Sequence, residues 1–175
     1  MSCLIRMAFG QTTTRMAAVQ NAAERYLQQL RATNPRQQVA VVGFSSTATL
    51  YHRLAPVGAA MGSLCRAVRS LHPQGRTNLS AGLSRALNEL ARIRAIHRSL
   101  VVITDGAATD DTHLLSGLIR RARGSRVRIV TIGVGNRADA DYDPALLGRM
   151  AHATGGGPSL MTFRLPWLRW TWNFR

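Results

Sequence analysis

The sequence contains no lysine, although it is strongly basic. All 23 basic side chains among the 175 residues are arginines, against only 8 acidic residues, and the formal net charge is +15. No apolar run approaches the roughly 20 residues that a membrane-spanning helix needs. The first residues, Met1 to Gly10, also lack the long apolar core of a secretory signal. We therefore expect a cytoplasmic location.

Cysteine is nearly absent as well. Cys3 and Cys65 have no neighbours at metal-ligand spacing, and a chain of this length buries a core without needing disulfides. Free thiols are the expected state. With 46% hydrophobic and 18% charged residues, the composition is typical of a globular protein and excludes a disordered chain.

The basic charge raises the question of nucleic-acid binding. Arginines run from Arg6 to Arg175, with the densest group in "IRRARGSRVR", residues 119–128. A nucleic-acid surface needs charge that is clustered in space, and no recognition motif accompanies these arginines. The pattern favours a solvated basic surface over a nucleic-acid partner.

Helical patterns alternate with strand patterns along most of the chain. Helical periodicity is found at residues 14–32, 58–71, 79–93, 112–123 and 143–155. Strand patterns are found at residues 38–46, 48–54, 99–104, 126–135 and 158–163. The run at 48–54 alternates like an edge strand, whereas 38–46 is continuously apolar, as in a strand buried on both faces. The order predicts an α/β fold with a doubly wound, mainly parallel sheet flanked by helices.

One aspartate directly follows a predicted strand of this pattern. In "SLVVITDGAATDD", residues 99–111, a run of β-branched residues ends in Asp105. Sites in doubly wound sheets lie beyond the carboxyl ends of the strands. Asp105 is therefore either a turn former that closes a buried strand or an acidic group displayed at a site.

Five stretches together resemble the von Willebrand factor A domain family. They are "QVAVVGFSSTATL" (38–50), "GRTNLSAGL" (75–83), "VVITDG" (101–106), "VRIVTIGVG" (127–135) and "LLGRMAHATGG" (146–156). The resemblance implies a doubly wound α/β fold with a metal-ion-dependent adhesion site at the carboxyl ends of the strands. It also implies magnesium or manganese as cofactor, its coordination completed by an acidic group of a partner protein.

By this resemblance, Thr77 matches the family's metal-binding threonine and Asp105 its third-loop aspartate. Both supply the oxygen ligands that hard divalent cations select. The family's site also depends on an Asp-x-Ser-x-Ser loop after the first strand, and the sequence contains none. Its place is held by "MSCLIRMAFGQTTT", residues 1–14, and the first acidic residue of the chain is Glu24. We therefore expect a degenerate metal site.

The same departure concerns the first strand, which we expect to be lost or altered. Either the chain begins downstream of its true first strand, or it is a relative that has lost the site. The stretch "CLIRMAF", residues 3–9, retains the apolar residues of a strand but supplies neither the carboxylate nor the serine hydroxyls. A missing central strand would leave a gap in the sheet, low stability or pairing with another chain.

A second departure is Arg76, where the family commonly has a small residue. A guanidinium there repels a bound cation or pairs with Asp105. Without a metal, Asp105 caps its own loop and Asn78 caps the helix that follows Thr77.

Catalytic patterns are absent from the sequence. The five histidines do not fall into H-E-x-x-H spacing, and "GFSST" is not a nucleophile elbow. "GVGNRAD", residues 133–139, lacks the third glycine of a dinucleotide site. Asp139, Asp141 and Asp143 are interpreted as a loop and helix start, because carboxylates favour the first turn of a helix. The chain is predicted not to be an enzyme.

The carboxyl-terminal end differs from the rest. We predict a domain over residues 1–162 and a tail over 163–175, "FRLPWLRWTWNFR", in which three tryptophans alternate with arginines. Such a tail inserts at a membrane surface, fills a partner's groove, or is an extension over the sheet or a disordered end.

The expected function is that of a non-enzymatic protein-binding module. Its partner is predicted to contact Ser45, Ser46 and Arg76, near Thr77 and Asp105. One alternative is an adaptor subunit of an ATP-driven metal-insertion or remodelling complex, since the chain has no phosphate-binding loop of its own. The other is a basic protein associated with membranes or nucleic acid.

Overall fold

The computed structural model of the chain describes residues 2–8, 13–72, 76–104, 112–134 and 143–161. The strands in these ranges are β1 (Ser2–Ala8), β2 (Gln38–Phe44), β3 (Ala48–Pro56), β4 (Arg98–Thr104), β5 (Val127–Val134) and β6 (Pro158–Met161). The helices are α1 (Thr13–Thr33), α2 (Val57–Arg69), α3 (Leu79–Leu90), α4 (Thr112–Gly124) and α5 (Pro144–Ala153).

The strands form one sheet in the order β3-β2-β1-β4-β5-β6. Neighbouring strands are parallel except β2 and β3, which are antiparallel, so β3 is the edge strand that its alternating sequence predicts. Strand order reverses on either side of β1, as in a doubly wound sheet. The predicted fold class is confirmed.

The first strand is present, in the middle of the sheet. β1 pairs along its whole length with β2 on one side and β4 on the other, so that Leu4 lies opposite Ala40 and Leu100. The expectation of a lost strand and a gap in the sheet is therefore wrong. Both neighbouring strands need a hydrogen-bonding partner at this position, and the apolar segment at residues 2–8 supplies it. The sequence that follows this strand contains no Asp-x-Ser-x-Ser.

Each face of the sheet has its own hydrophobic core. Alternate residues of β2 divide between them, with Val39 and Val41 facing α1 and α2. Ala40 and Val42 face α3, α4 and α5. This double burial is the reason why the strand is a continuous apolar run without polar alternation.

The return from α5 to β6 depends on glycine. Gly155 has a φ of 72°, in the left-handed region that glycine occupies without steric cost after a helix. At Gly156 a Cβ atom would clash with the carbonyl oxygen of Ile129, so no side chain fits there. The glycine run therefore allows the backbone to pass directly against β5.

Two observations on the described residues concern the thiols and membrane-spanning helices. Cys65 is a free, half-buried thiol, as expected. Burial raises its pKa, nearby Glu24 raises it further, and Arg69 opposes them. No helix within the described ranges is long and apolar enough to cross a membrane.

Candidate functional site

The carboxyl ends of the parallel strands lie together at one end of the sheet, here called the carboxyl edge. β2 ends there at Phe44 and β4 at Thr104. The chain also returns to this edge between α2 and α3, because β3 runs antiparallel to β2 and reverses the direction of α2. The segment Arg76 to Asn78 is thereby placed beside the turn that follows β2.

Hydrogen bonds join these two segments directly. The backbone N–H of Asn78 donates to the carbonyl oxygen of Ser45 at 2.8 Å, and the N–H of Arg76 donates to Ser46 Oγ at 3.3 Å. The turn is closed by the Ser45 N–H, which donates to the Thr47 carbonyl at 2.8 Å. Ser45, Ser46 and Arg76, predicted to face a partner, are thus brought together. Ser46 and Arg76 are exposed, and Ser45 is half-buried.

Thr77 lies deeper than its neighbours. Its exposed fraction is 7%, and its carbonyl oxygen accepts a hydrogen bond from the Leu79 N–H at 3.1 Å. Asn78 follows as the N-cap of α3, its Oδ1 accepting from the Ala81 N–H at 2.8 Å. The predicted asparagine cap is confirmed, and it fixes the start of α3 at the carboxyl edge.

Asp105 lies outside the described residues, and so does its predicted pairing with Arg76. Asp139 and Asp141 lie outside them too. Asp143 is described and caps α5, with its Oδ1 accepting from the Leu146 N–H at 2.9 Å and a proline following at the first helical position. The interpretation of that aspartate as a helix start is confirmed.

The described part of the edge fits a divalent cation only in part. Thr77 offers one hydroxyl oxygen, and Arg76 beside it carries a positive charge. Across the described ranges there is no group of three or more histidine, cysteine, aspartate or glutamate side chains that could hold a metal ion. Magnesium requires a nearly octahedral set of oxygens, which one hydroxyl does not provide.

A mainly apolar groove lies between α3 and α4, beginning at their first turns. It has a volume of about 400 Å³ and is lined by Ser80, Ala81, Ser84, Leu114, Gly117 and Leu118. Leu114 is 50% exposed. Sequence reasoning missed this groove, because its small residues belong to two helices and form no pattern on either one.

Sequence reasoning also missed a contact between β3 and α2. His52 Nε2 lies 2.9 Å from Ser63 Oγ, and His52 Nδ1 lies 2.6 Å from the carbonyl oxygen of Arg53. Ser63 Oγ also donates to the Ala60 carbonyl at 2.9 Å. Among the described side chains no carboxylate orients this histidine, so the contact resembles a link between two elements more than a nucleophile and its base.

The topology and the polar carboxyl edge define a class, the doubly wound α/β domains whose loops at the strand ends carry the site. Within that class the family is shown by sequence. The model of the von Willebrand factor type A domain matches residues 10–164, and the chain belongs to that family.

Two relatives share part of the sequence. An uncharacterized protein of Borreliella burgdorferi is 31% identical over 96 residues, which are 45% of this chain and 28% of the relative. The uncharacterized protein YfbK of Escherichia coli is 31% identical over 98 residues, which are 53% of this chain and 16% of the relative. The matched region is thus less than a third of either relative.

Solved structures share the fold. A von Willebrand factor type A protein from Catenulispora acidiphila superposes with a TM-score of 0.81 at 19% identity, covering 91% of this chain and 38% of the other. BatB from Bacteroides thetaiotaomicron gives 0.75 at 10% identity, covering 92% and 90%. The vWF domain of the type V pili tip protein Mfa5 from Porphyromonas gingivalis gives 0.72 at 13%, covering 92% and 89%.

Proposed function

We propose that this domain is a non-enzymatic protein-binding module and that its partner binds at the carboxyl edge, against Ser45, Ser46 and Arg76. Domains of this family are in general interaction modules, and a pili tip protein among the structural neighbours agrees with such a role. The observation that carries the proposal is the pair of hydrogen bonds that holds the turn after β2 against the segment before α3.

The chemistry of this edge suits an acidic group on the partner. Arg76 is exposed, and a guanidinium binds a carboxylate through two parallel hydrogen bonds. The Ser46 hydroxyl, exposed beside it, is a further donor. Because the backbone of both segments is already fixed, little conformational entropy is lost when the partner binds.

The groove between α3 and α4 extends the same surface. It offers apolar contact next to the polar groups, and interfaces commonly combine a desolvated apolar centre with polar surroundings. Leu114, half exposed at its rim, is the side chain we expect a partner to cover.

A divalent ion is not required for this mode of binding. Magnesium or manganese at this edge would be held by Thr77 and Asp105, without the carboxylate and serine hydroxyls that the missing loop would supply. A site with so few ligands binds its ion weakly. Arg76 takes the place of the ion as the positive group that meets the partner's carboxylate.

Site-specific photo-crosslinking in the source cells tests the proposal. A photoreactive amino acid at position 46 should capture one defined protein, whereas the same group at Gln28, an exposed position on α1, should not. The captured protein, once purified, should bind the wild-type chain, and Arg76→Glu should weaken binding at least about tenfold through charge reversal. Arg25→Glu is the matched control, since it changes the net charge equally at an exposed site on α1. Equal capture at both positions would contradict the proposal.

A further inference from the structure

The opposite end of the sheet, where β4 and β5 begin, carries a second site-like feature, here called the basic cleft. It has a volume of about 260 Å³ and is lined by His97, Arg98, Ser99, Arg126 and Arg128. None of the described lining residues is acidic. Three arginines and a histidine therefore line a space large enough for a carboxylate group.

Strand register creates this cleft from two distant parts of the sequence. Arg98 and Ser99 begin β4, while Arg126 and Arg128 flank the first residue of β5. Parallel pairing of the two strands places Ser99 opposite Arg128. The guanidinium of Arg98 donates from Nη2 to the carbonyl oxygen of Ser125 at 2.8 Å, which joins the start of β4 to the residues before β5.

Two features of the cleft lower the stability of the domain when no ligand is bound. Arg98 Nε is buried and has no acceptor within the described structure, which leaves a desolvated donor unsatisfied. Arg126 has a φ of 54°, a left-handed conformation that glycine usually adopts after a helix. Strained backbone and unsatisfied polar groups concentrate where a ligand completes the structure.

An exposed apolar residue adjoins the basic cleft. Ile96 has an exposed fraction of 87%, on the irregular connection between α3 and β4. It lines a neighbouring hollow of about 470 Å³ together with Arg94 and Arg98. Because Arg98 borders both spaces, a single ligand can reach the charges and the apolar side chain together.

Both glutamates of the chain form ion pairs with arginines that do not line the basic cleft. Glu24 is paired with Arg69, with an N–O distance of 2.6 Å, and Glu89 is paired with Arg92 at 3.2 Å. All aspartates of the chain follow the carboxyl ends of β4 and β5 in the sequence. Among the described residues, therefore, no carboxylate of the chain lines the basic cleft.

We propose that the basic cleft and Ile96 bind an acidic segment of another protein, with a carboxylate in the cleft and a neighbouring apolar side chain against Ile96. This contact is separate from the carboxyl edge. Nucleic acid fits less well, because phosphates make no use of Ile96 and the described lining of the cleft contains no tryptophan, tyrosine or phenylalanine for base stacking. A membrane fits less well, because Ile96 lies on an irregular connection and not on an amphipathic helix.

Fluorescence anisotropy with the full chain tests this proposal. The probe is a short labelled peptide of glutamate and leucine, compared with its glutamine and leucine counterpart, at an ionic strength of about 0.15 M. The variant Arg126→Gly with Arg128→Gln removes two cleft charges, and glycine suits the left-handed backbone at position 126. Its control, Arg25→Gln with Arg120→Gln, removes two exposed arginines from α1 and α4.

The acidic peptide should bind and its glutamine counterpart should not. The cleft variant should raise the Kd about tenfold, and the control less than about twofold. Ile96→Ser should weaken binding of the glutamate and leucine peptide but leave a glutamate and serine peptide unaffected. Absence of binding, or equal weakening by both double variants, would overturn the proposal, because attraction would then follow net charge alone. Cleft-dependent binding of single-stranded DNA or phosphatidylserine vesicles in preference to the peptide would also overturn it.

Discussion

At the carboxyl edge, short polar side chains accept hydrogen bonds from the first turns of helices, whereas at the opposite edge arginines surround the beginnings of strands. Asn78 and Asp143 cap α3 and α5 at the first of these edges. Arg121 and Arg123 lie in the last turn of α4, near the second. Because a helix is partly positive at its N-terminus and partly negative at its C-terminus, caps and arginines follow helix direction.

α2 shows that the placement of arginines at helix ends follows the direction of the helix and not the edge of the sheet. It runs opposite to the other helices, since it follows the antiparallel strand β3. Its last turn carries Arg66 and Arg69 at the carboxyl edge. Helix direction therefore accounts for the arginines near helix ends, but not for Arg98 and Arg128, which lie on strands.

The largest expected effect concerns the turn at which α5 leads back to the sheet. Gly156→Ala should lower the free energy of unfolding by more than about 3 kcal/mol or prevent folding, because a methyl group meets the backbone of Ile129. Urea denaturation followed by circular dichroism measures this. Gly157→Ala is the control, since no atom of the described residues lies within 4 Å of a Cβ there. Equal stability of the two variants would show that this close approach does not exist.

A smaller loss of stability is expected for a substitution at the carboxyl edge. Asn78→Ala removes the cap of α3 and should lower the free energy of unfolding by about 1 kcal/mol, while Asn78→Asp should retain most of it. The same denaturation experiment applies. If alanine and aspartate behave alike, the side chain of Asn78 does not stabilise the helix.

At the basic cleft we expect a substitution that increases the free energy of unfolding. Arg126→Gly should raise the free energy of unfolding by about 0.5 kcal/mol, because relief of the left-handed strain exceeds the added entropy of the unfolded chain. Arg120→Gly, inside α4, should lower it by about 1 kcal/mol. A loss of stability at position 126 would mean that Arg126 is not strained.

The smallest effect is expected for the ion pair between α1 and α2. Glu24→Gln removes the acceptor of two hydrogen bonds from Arg69, which lie at 2.6 and 3.1 Å. Arg69 is largely exposed, so solvent screens the pair, and the melting temperature should fall less than it does for Asn78→Ala. The difference from wild type should shrink further in high salt. A larger fall than that of the cap variant would contradict this ranking.

Much of the fold is predictable from sequence because its signals are local. The apolar run of β2 and the alternation of β3 follow from the burial of each strand, and the caps at Asn78 and Asp143 follow from spacing alone. β1 was harder to predict, since Arg6 interrupts a short apolar segment whose strand conformation depends on pairing with β2 and β4.

Both proposed sites depend on contacts between residues that are distant in the sequence, and sequence reasoning reached only one of them. Ser45, Ser46 and Arg76 were reached through the family resemblance. The basic cleft was not, because Ser99 and Arg128 become neighbours only through strand register. The dense arginine group at residues 119–128 was its only visible signal, and periodicity does not show which of those arginines face a common space.

The most direct test of the central claim, that the carboxyl edge acts without a divalent ion, is the melting temperature of the chain with and without millimolar Mg²⁺ or Mn²⁺. We expect no shift for wild type, Thr77→Ala or Asp105→Ala, each compared with its own metal-free melt. An ion at 100 times its Kd would add about 2.7 kcal/mol of stability. For a domain of this size that is a rise of roughly 5–10 °C. Such a rise in wild type, absent from both variants, would contradict the account and show that Thr77 and Asp105 hold a metal.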